Sequence, residues 1–369
     1  MSSHYRLQKH QPLDPLSYQT EVYKKGLKHE SASPMTFDTT QWEHLAKQRL
    51  SADAFSYVGG NAGQSETYRR NLAAFRRWAI VPARLTGSNL PALDTSIFGE
   101  ECAFPIALAP VGVQVIFHPE AENAAATVAN EEQVPYILSS ATGTPMEEVA
   151  KANGAQGQRW FQLYWPPNDS NDITASLLRR AKASGYTVLF VTLDTYLLGW
   201  RPTDMDNGYN PFLRSDMVGV ANGLTDPQFR KAFKELSGKE VEEDMHAAAA
   251  EWTHRSFPVQ NHSWEDLEFL KQHWDGPIVL KGIVSVRDAK RAVEAGVQGI
   301  VVSTHGGRQQ DGGAASLDML PKIVDAVGDK LEVIFDSGVR CGAVSMSTRV
   351  VRGKKKIIAH ITHRISSRR

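Results

Sequence analysis

The sequence predicts an α/β chain folded as a (β/α)8 TIM barrel whose eighth βα unit is missing or replaced, and three observations carry that reading. Seven short apolar runs recur from Phe104 onward: FPIALAP (104–110), VPYIL (134–138), WFQLY (160–164), TVLFVTL (187–193), PIVLKG (277–282), GIVVS (299–303) and LEVIFD (331–336). Helix-length amphipathic stretches at 119–132, 169–184, 286–295 and 316–327 lie between them. Near-continuous apolar strands separated by helices mean a parallel sheet buried on both faces. No glycine-rich dinucleotide turn follows the first run, which favours a barrel over a doubly wound sheet.

The elements follow in order. Residues 1–40 are polar, carry little periodic signal and read as an N-terminal arm. Asp38-Thr39-Thr40 caps a helical pattern, QWEHLAKQRL, and a second charged helical stretch runs from Ser65 to Trp78. The barrel unit is expected over 41–343. Residues 205–262 interrupt its rhythm with NGYNPF, TDPQF and the charged run KELSGKEVEEDMH. An insertion of that length after the fourth strand reads as a lid over the catalytic end. Residues 344–369 form a basic tail.

Composition removes several classes of function. The 369 residues carry 41 basic and 41 acidic side chains, so net charge gives no attraction to nucleic acid or an acidic membrane. Cys102 and Cys341 are the only cysteines, too few for a disulfide framework or a cysteine zinc site. No stretch reaches about 18 uninterrupted apolar residues, and MSSHYRLQKH has no apolar signal core, so an intracellular, cytoplasmic protein is expected.

Tyr164, Asp194, Lys281, His305 and Asp336 stand at the C-terminal ends of the apolar runs, the face on which barrels carry chemistry. THGGRQQDGG (304–313) puts a base, His305, three residues from a cation, Arg308. A His-Gly-Gly by itself is ordinarily just a turn; the strand-end position and the arginine point beyond that. Lys281 ends an otherwise apolar run and either snorkels to solvent or meets an anion. Arg201, in DTYLLGWRPTD, can reach across the barrel mouth or lie on the surface. FDSGVRCG combines Asp336, two glycines and Arg340 and suits a phosphate, or is an ordinary strand-to-helix turn. Oxidising a 2-hydroxy acid needs cations for the carboxylate, a base near neutrality and an electron acceptor that no side chain supplies.

Together FSYVGGNAG (55–63), LAPVGV (108–113), HPEAE (118–122), Ser139-Ser140, FQLY (161–164), VTLDT (191–195), GWRPTD (199–204), LKGI (280–283), STHGGRQ (303–309) and FDSGVR (335–340) resemble the FMN-dependent 2-hydroxy acid oxidising family. GWRPTD and the insertion tilt the resemblance to its lactate 2-monooxygenase branch. The resemblance implies FMN as cofactor, a small L-2-hydroxy acid such as lactate as substrate, O2 as acceptor and a homo-oligomer, a tetramer in the family. It makes His305 the base, with Asp194 stabilising its cation. Arg201 and Arg308 would clamp the carboxylate, and Tyr57 and Tyr164 would hydrogen-bond the substrate. Lys281 would stabilise the charge that develops on the reduced flavin. Pro110, Val111, Gly112, Ser139, Gln162 and Thr192 would hold the isoalloxazine, and Asp336, Ser337, Gly338 and Arg340 the ribityl phosphate end. Thr304 stands where the family usually has Asn, and Ala141 where some oxidases carry a bulky aromatic.

From Val344 the chain leaves the family, which continues with a helix, an eighth strand, a Gly-Arg phosphate loop and a last helix. Val344-Ser345 is what an in-frame GTAAGT splice donor would encode, so a retained intron is one source of the tail and a lineage-specific extension the other. Without an eighth strand, strands one and seven would expose unpaired edges, with weak FMN retention and poor solubility expected. KKIIAHIT (355–362) could pair there as a makeshift strand. A truncated remnant without catalysis, and a phosphate-binding barrel of other chemistry, are the alternative readings.

Overall fold

The computed structural model describes residues 17–28, 35–79, 93–213, 218–260, 262–342 and 357–361, with isolated positions between them. The seven apolar runs form β1 (Ile106–Leu108), β2 (Tyr136–Ser139), β3 (Arg159–Tyr164), β4 (Leu189–Thr192), β5 (Ile278–Lys281), β6 (Gly299–Val302) and β7 (Glu332–Phe335). Each is parallel to its neighbour. The eighth place is taken by β8 (Ile357–Ile361), from the tail. Ala359 lies opposite Ile106 of β1 on one side and Phe335 of β7 on the other, and the barrel is closed. The expectation of two unpaired edges is therefore corrected: the isoleucine-rich segment supplies backbone donors and acceptors to both.

The expected helices appear as α5 (Ala121–Glu131), α7 (Asn171–Ala183), α13 (Val286–Glu294) and α14 (Ser316–Val327), with α2 (Trp42–Arg49) and α4 (Glu66–Arg77) before the barrel. The sequence reading did not single out α3 (Ala52–Gly59), α6 (Met146–Asn153) or α12 (Leu267–His273), nor α1 (Ser17–Leu27) inside the expected arm. A hairpin, Thr95–Ile97 paired with Glu100–Cys102, was missed as well. Its Ile97 and Cys102, with the turn residue Phe98, pack into the inner core of the barrel.

Two apolar layers hold the barrel. Ala107, Ile137, Trp160, Phe190, Val279, Val301 and Ile334 point inward and pack together, with Trp160 and Phe190 stacked at 5.5 Å. The larger layer lies between sheet and helices and includes Leu138, Phe161, Val191, Leu280 and Val302. Because strand side chains alternate in direction, residues two places beyond the inner layer also face inward, one level nearer the C-terminal mouth.

The insertion after β4 contains α8 (Pro202–Asp206), α9 (Ala221–Leu224), α10 (Pro227–Ser237) and α11 (Met245–Ser256). Asp226 caps α10 through the amides of Gln228 and Phe229, and its other oxygen pairs with Arg180 of α7 at 3.2 Å. Asn222 accepts a hydrogen bond from the amide of Met146. With Phe229, Phe233 and Trp252 buried in the same apolar layer that lies between sheet and helices, the insertion is fastened to α6 and α7.

Candidate active site

Two residues beyond the inner apolar layer stand Ser139, Gln162, Thr192, Lys281, Ser303 and Asp336, each at least nine-tenths buried. They form a polar tier directly above a hydrocarbon plug. Ser139 Oγ donates to Gln162 Oε1 at 2.9 Å, and Gln162 Nε2 donates to Thr192 Oγ1 at 2.9 Å. Lys281 Nζ donates to Ser303 Oγ at 3.0 Å and lies 3.4 Å from Asp336 Oδ2. Burial alone would lower the Lys281 pKa, but Asp336 and Asp194 outweigh it and raise it, so the ammonium stays charged.

Above this tier lies the imidazole. His305 has φ +52° and is followed by two glycines, also at positive φ. Gly307 leaves no room for a side chain, because a Cβ there would stand 2.6 Å from the amide nitrogen of Tyr68 in α4. His305 Nδ1 lies 2.8 Å from Asp194 Oδ1, which also accepts from Thr195 Oγ1 at 2.9 Å. This contact assigns the proton to Nδ1 and leaves Nε2 as a free base. Burial lowers the His305 pKa, Asp194 raises it, Lys281 and Arg201 lower it, and the balance is downward. For Asp194, burial acts to raise the pKa, yet His305 and Lys281 hold it below the usual carboxylate value. The resting pair is thus a neutral imidazole and an ionised carboxylate, whose Oδ2 has no hydrogen-bond partner among the described residues.

Two guanidiniums complete the mouth. Arg201 is buried; its Nε donates to the Arg308 carbonyl at 3.0 Å and an Nη to Gln309 Oε1. Arg308 donates to the carbonyls of Val58 and Gly60. Both lie over the ring of Tyr57, at 5.7 Å and 5.2 Å. Asp204 stands 3.7 Å from Arg201, whereas Arg308 has no ion pair among the described residues. Burial, then the charge of Arg201, bring the Arg308 pKa down to about 10. A buried and a half-buried cation that share one carboxylate carry a net positive charge suited to an anion. The Tyr164 phenol, pushed up by burial, feels Tyr57, Asp194, Arg201 and Arg308 together, so these groups share one cavity wall. Phe257 of the insertion packs on Tyr164 at 5.1 Å and Tyr209 on Tyr57 at 6.0 Å, so the insertion borders the mouth.

The other expected residues occupy the same rim. Pro110, Val111 and Gly112 follow β1, half-buried; a Cβ on Gly112 would lie 2.7 Å from the Ala141 carbonyl, so the loops after β1 and β2 touch. Ser337 and Gly338 follow β7 with φ +79° and +93°, and Arg340 is exposed beyond them. Sequence reasoning missed Thr195, Asp204, Ser303 and Gln309. All four lie inside the motifs VTLDT, GWRPTD and STHGGRQ, so the signal was present but carried no stated role.

The barrel carries at its mouth a neutral imidazole and two guanidiniums, groups with the chemistry to hold an anionic acid and accept a proton but not to take up electrons. The FMN-dependent dehydrogenase family model matches residues 46–344. An FMN-dependent alpha-hydroxy acid dehydrogenase of Schizosaccharomyces pombe is 58% identical over 345 residues, 94% of this chain and 84% of the relative. An L-lactate oxidase of Lysinibacillus sphaericus is 36% identical, covering 87% and 80%. The crystal structure of mandelate oxidase with (S)-4-hydroxymandelic acid superposes with a TM-score of 0.73 at 34% identity, covering 87% of this chain and 84% of that one. The chain belongs to the FMN-dependent dehydrogenase family, its cofactor is FMN, and it is an oxidoreductase of 2-hydroxy acids. The chemistry of the tier fits that cofactor: the buried amide of Gln162 and the hydroxyls of Ser139 and Thr192 would suit the polar edge of a flavin ring, and the buried Lys281 ammonium would stabilise negative charge on it. Among the described residues no helix is long and apolar enough to cross a membrane.

Proposed function

We propose that the protein oxidises a small L-2-hydroxy acid, lactate or a near relative, to the 2-keto acid, with O2 as final acceptor. The observation that carries this reading is the neutral His305, aligned by Asp194, beside two guanidiniums, Arg201 and Arg308, that share the single carboxylate of Asp204. The guanidiniums hold the substrate carboxylate, and Tyr57 and Tyr164 hydrogen-bond the substrate. His305 Nε2 then takes a proton from the bound acid, and Asp194 stabilises the imidazolium that results.

FMN, when bound, supplies the two-electron acceptor. Pro110, Val111, Gly112, Ser139, Gln162 and Thr192 would line its ring, with Lys281 at the pyrimidine side. Asp336 suits ribityl hydroxyls rather than phosphate, since like charges repel, which leaves Ser337, Gly338 and Arg340 for the phosphate end. Ala141 is small and buried, which leaves room for a side chain larger than methyl on the substrate. The insertion of 205–262 acts as the cover that decides how long the keto acid stays. Retention would let peroxide decarboxylate it, the monooxygenase outcome; release gives simple oxidation.

Product analysis tests this reading. With L-lactate, acetate and CO2 mark monooxygenation, and pyruvate and peroxide mark oxidation. Turnover of neither lactate nor any larger 2-hydroxy acid would leave the inactive-remnant reading.

A further inference from the structure

Three consecutive backbone amides around the base, those of Thr304, His305 and Gly306, are all accepted by two serine hydroxyls. Ser303 Oγ takes the amide of His305 at 3.0 Å, and Ser337 Oγ takes those of Thr304 at 3.1 Å and Gly306 at 3.0 Å. Each hydroxyl also leads to Lys281. Ser303 accepts directly from its ammonium, and Ser337 donates at 2.8 Å to Asp336, which pairs with it. Ser337 holds this place at φ +79°, a conformation that glycine adopts freely and a serine does not. Both neighbouring structural demands, the turn after β7 and the close approach of α4, would be met by glycine. Gly338, next along, already shows this, since a Cβ there would stand 3.1 Å from the Asn71 carbonyl. A strained serine kept where glycine would fit is explained by what its hydroxyl does.

We infer that Ser337 is a positioning residue for the catalytic turn: its hydroxyl clamps the peptide units on both sides of His305 and ties them to the Asp336–Lys281 pair. This goes beyond the cofactor contact assigned to Ser337 above and rests, for its kinetic consequence, on the proposed oxidation. Without the hydroxyl two half-buried amides lose their acceptor, and the imidazole gains freedom to leave the line between Asp194 and the substrate.

The test compares Ser337→Gly with Ser337→Ala. Glycine removes the backbone strain and alanine keeps it, but both remove the hydroxyl. In the flavin-free protein, the rate at which diethyl pyrocarbonate acylates His305, read by peptide mass spectrometry, is expected to rise severalfold in both. In protein saturated with FMN kcat is expected to fall about tenfold or more in both, with KM within about threefold of the parent. A glycine variant with parental acylation rate and kcat would overturn the inference, since backbone conformation alone would then account for the residue. So would variants whose kcat returns at saturating FMN, because the hydroxyl would then serve the cofactor and not the base. If the parent protein oxidises no 2-hydroxy acid, the proposed function fails, and the acylation rates still decide this inference.

Discussion

His305 Nδ1 and Asp194 Oδ1 lie 2.8 Å apart although 111 positions separate the residues in the chain. The contact orients the ring, fixes its tautomer and offers a counter-charge once the ring is protonated. Because burial outweighs Asp194 and holds the His305 pKa below the ordinary imidazole value of about 6.5, the base is neutral at pH 7.

The sign of the pH dependence follows from that balance. The reaction needs neutral His305 and charged Arg308, so kcat/KM is expected to be flat above about pH 6.5, to fall at lower pH, and to fall again near pH 10 where Arg308 loses its proton. Asp194→Asn removes the influence that raises the pKa, so the acid limb moves to still lower pH while kcat falls roughly 10²–10⁴-fold. A pH–rate profile of both proteins checks this. Stability moves in the same sense: the folded state binds the His305 proton less readily than the unfolded chain, so this contribution is lost as pH falls below about 6.5.

Arg308 trades stability for binding. Its burial beside Arg201 disfavours the charged form, and a substrate carboxylate would relieve that cost. Arg308→Met is expected to raise KM about 10–100-fold, in line with about 1.5–3 kcal/mol for a charged hydrogen bond. The same variant is expected to melt at an equal or higher temperature without ligand. Steady-state kinetics and thermal unfolding on one preparation read both effects.

Glu122 is fully buried in α5, where Oε1 accepts from the amides of Gln114 at 3.2 Å and Gly143 at 3.1 Å. It thereby joins the loops after β1 and β2. Glu122→Ala leaves the buried Gln114 amide without its acceptor and unties Gly143, and is expected to cost about 1–3 kcal/mol. Chemical denaturation measures the loss, and FMN titration is expected to show weaker binding because both loops belong to the proposed ring site.

The tail strand closes the barrel through its backbone. Ala359 pairs with both neighbours, so Ala359→Pro removes an amide donor and stiffens a central strand. Loss of soluble protein, or strong binding of a hydrophobic dye, is the expected outcome of purification. A variant as soluble and compact as the parent would show that β8 contributes little to closure.

Much of this was legible in the sequence for a physical reason. Strands buried on both faces must be almost wholly apolar, so all seven runs found their strands, and their polar ends found the mouth. KKIIAHIT, read as a run that could pair as a makeshift strand, supplies the strand Ile357–Ile361 in the eighth place. The hairpin at Thr95–Cys102 was not, because each arm has three residues and Glu100 and Glu101 mask any apolar run. Within the site, the residues proposed to act on the substrate stood out, whereas those that hold them in place did not. Gln309 meets Arg201 across 108 positions, a relation that exists only once the barrel is closed.

The most direct measurement is anaerobic addition of L-lactate, and then of larger L-2-hydroxy acids, to the FMN-loaded protein while recording the flavin absorption near 450 nm. Bleaching by at least one of these acids, abolished or slowed about a thousandfold in His305→Gln, is the expected result. An FMN-loaded parent that stays yellow with every acid, or a His305→Gln variant that bleaches as fast as the parent, would contradict the account.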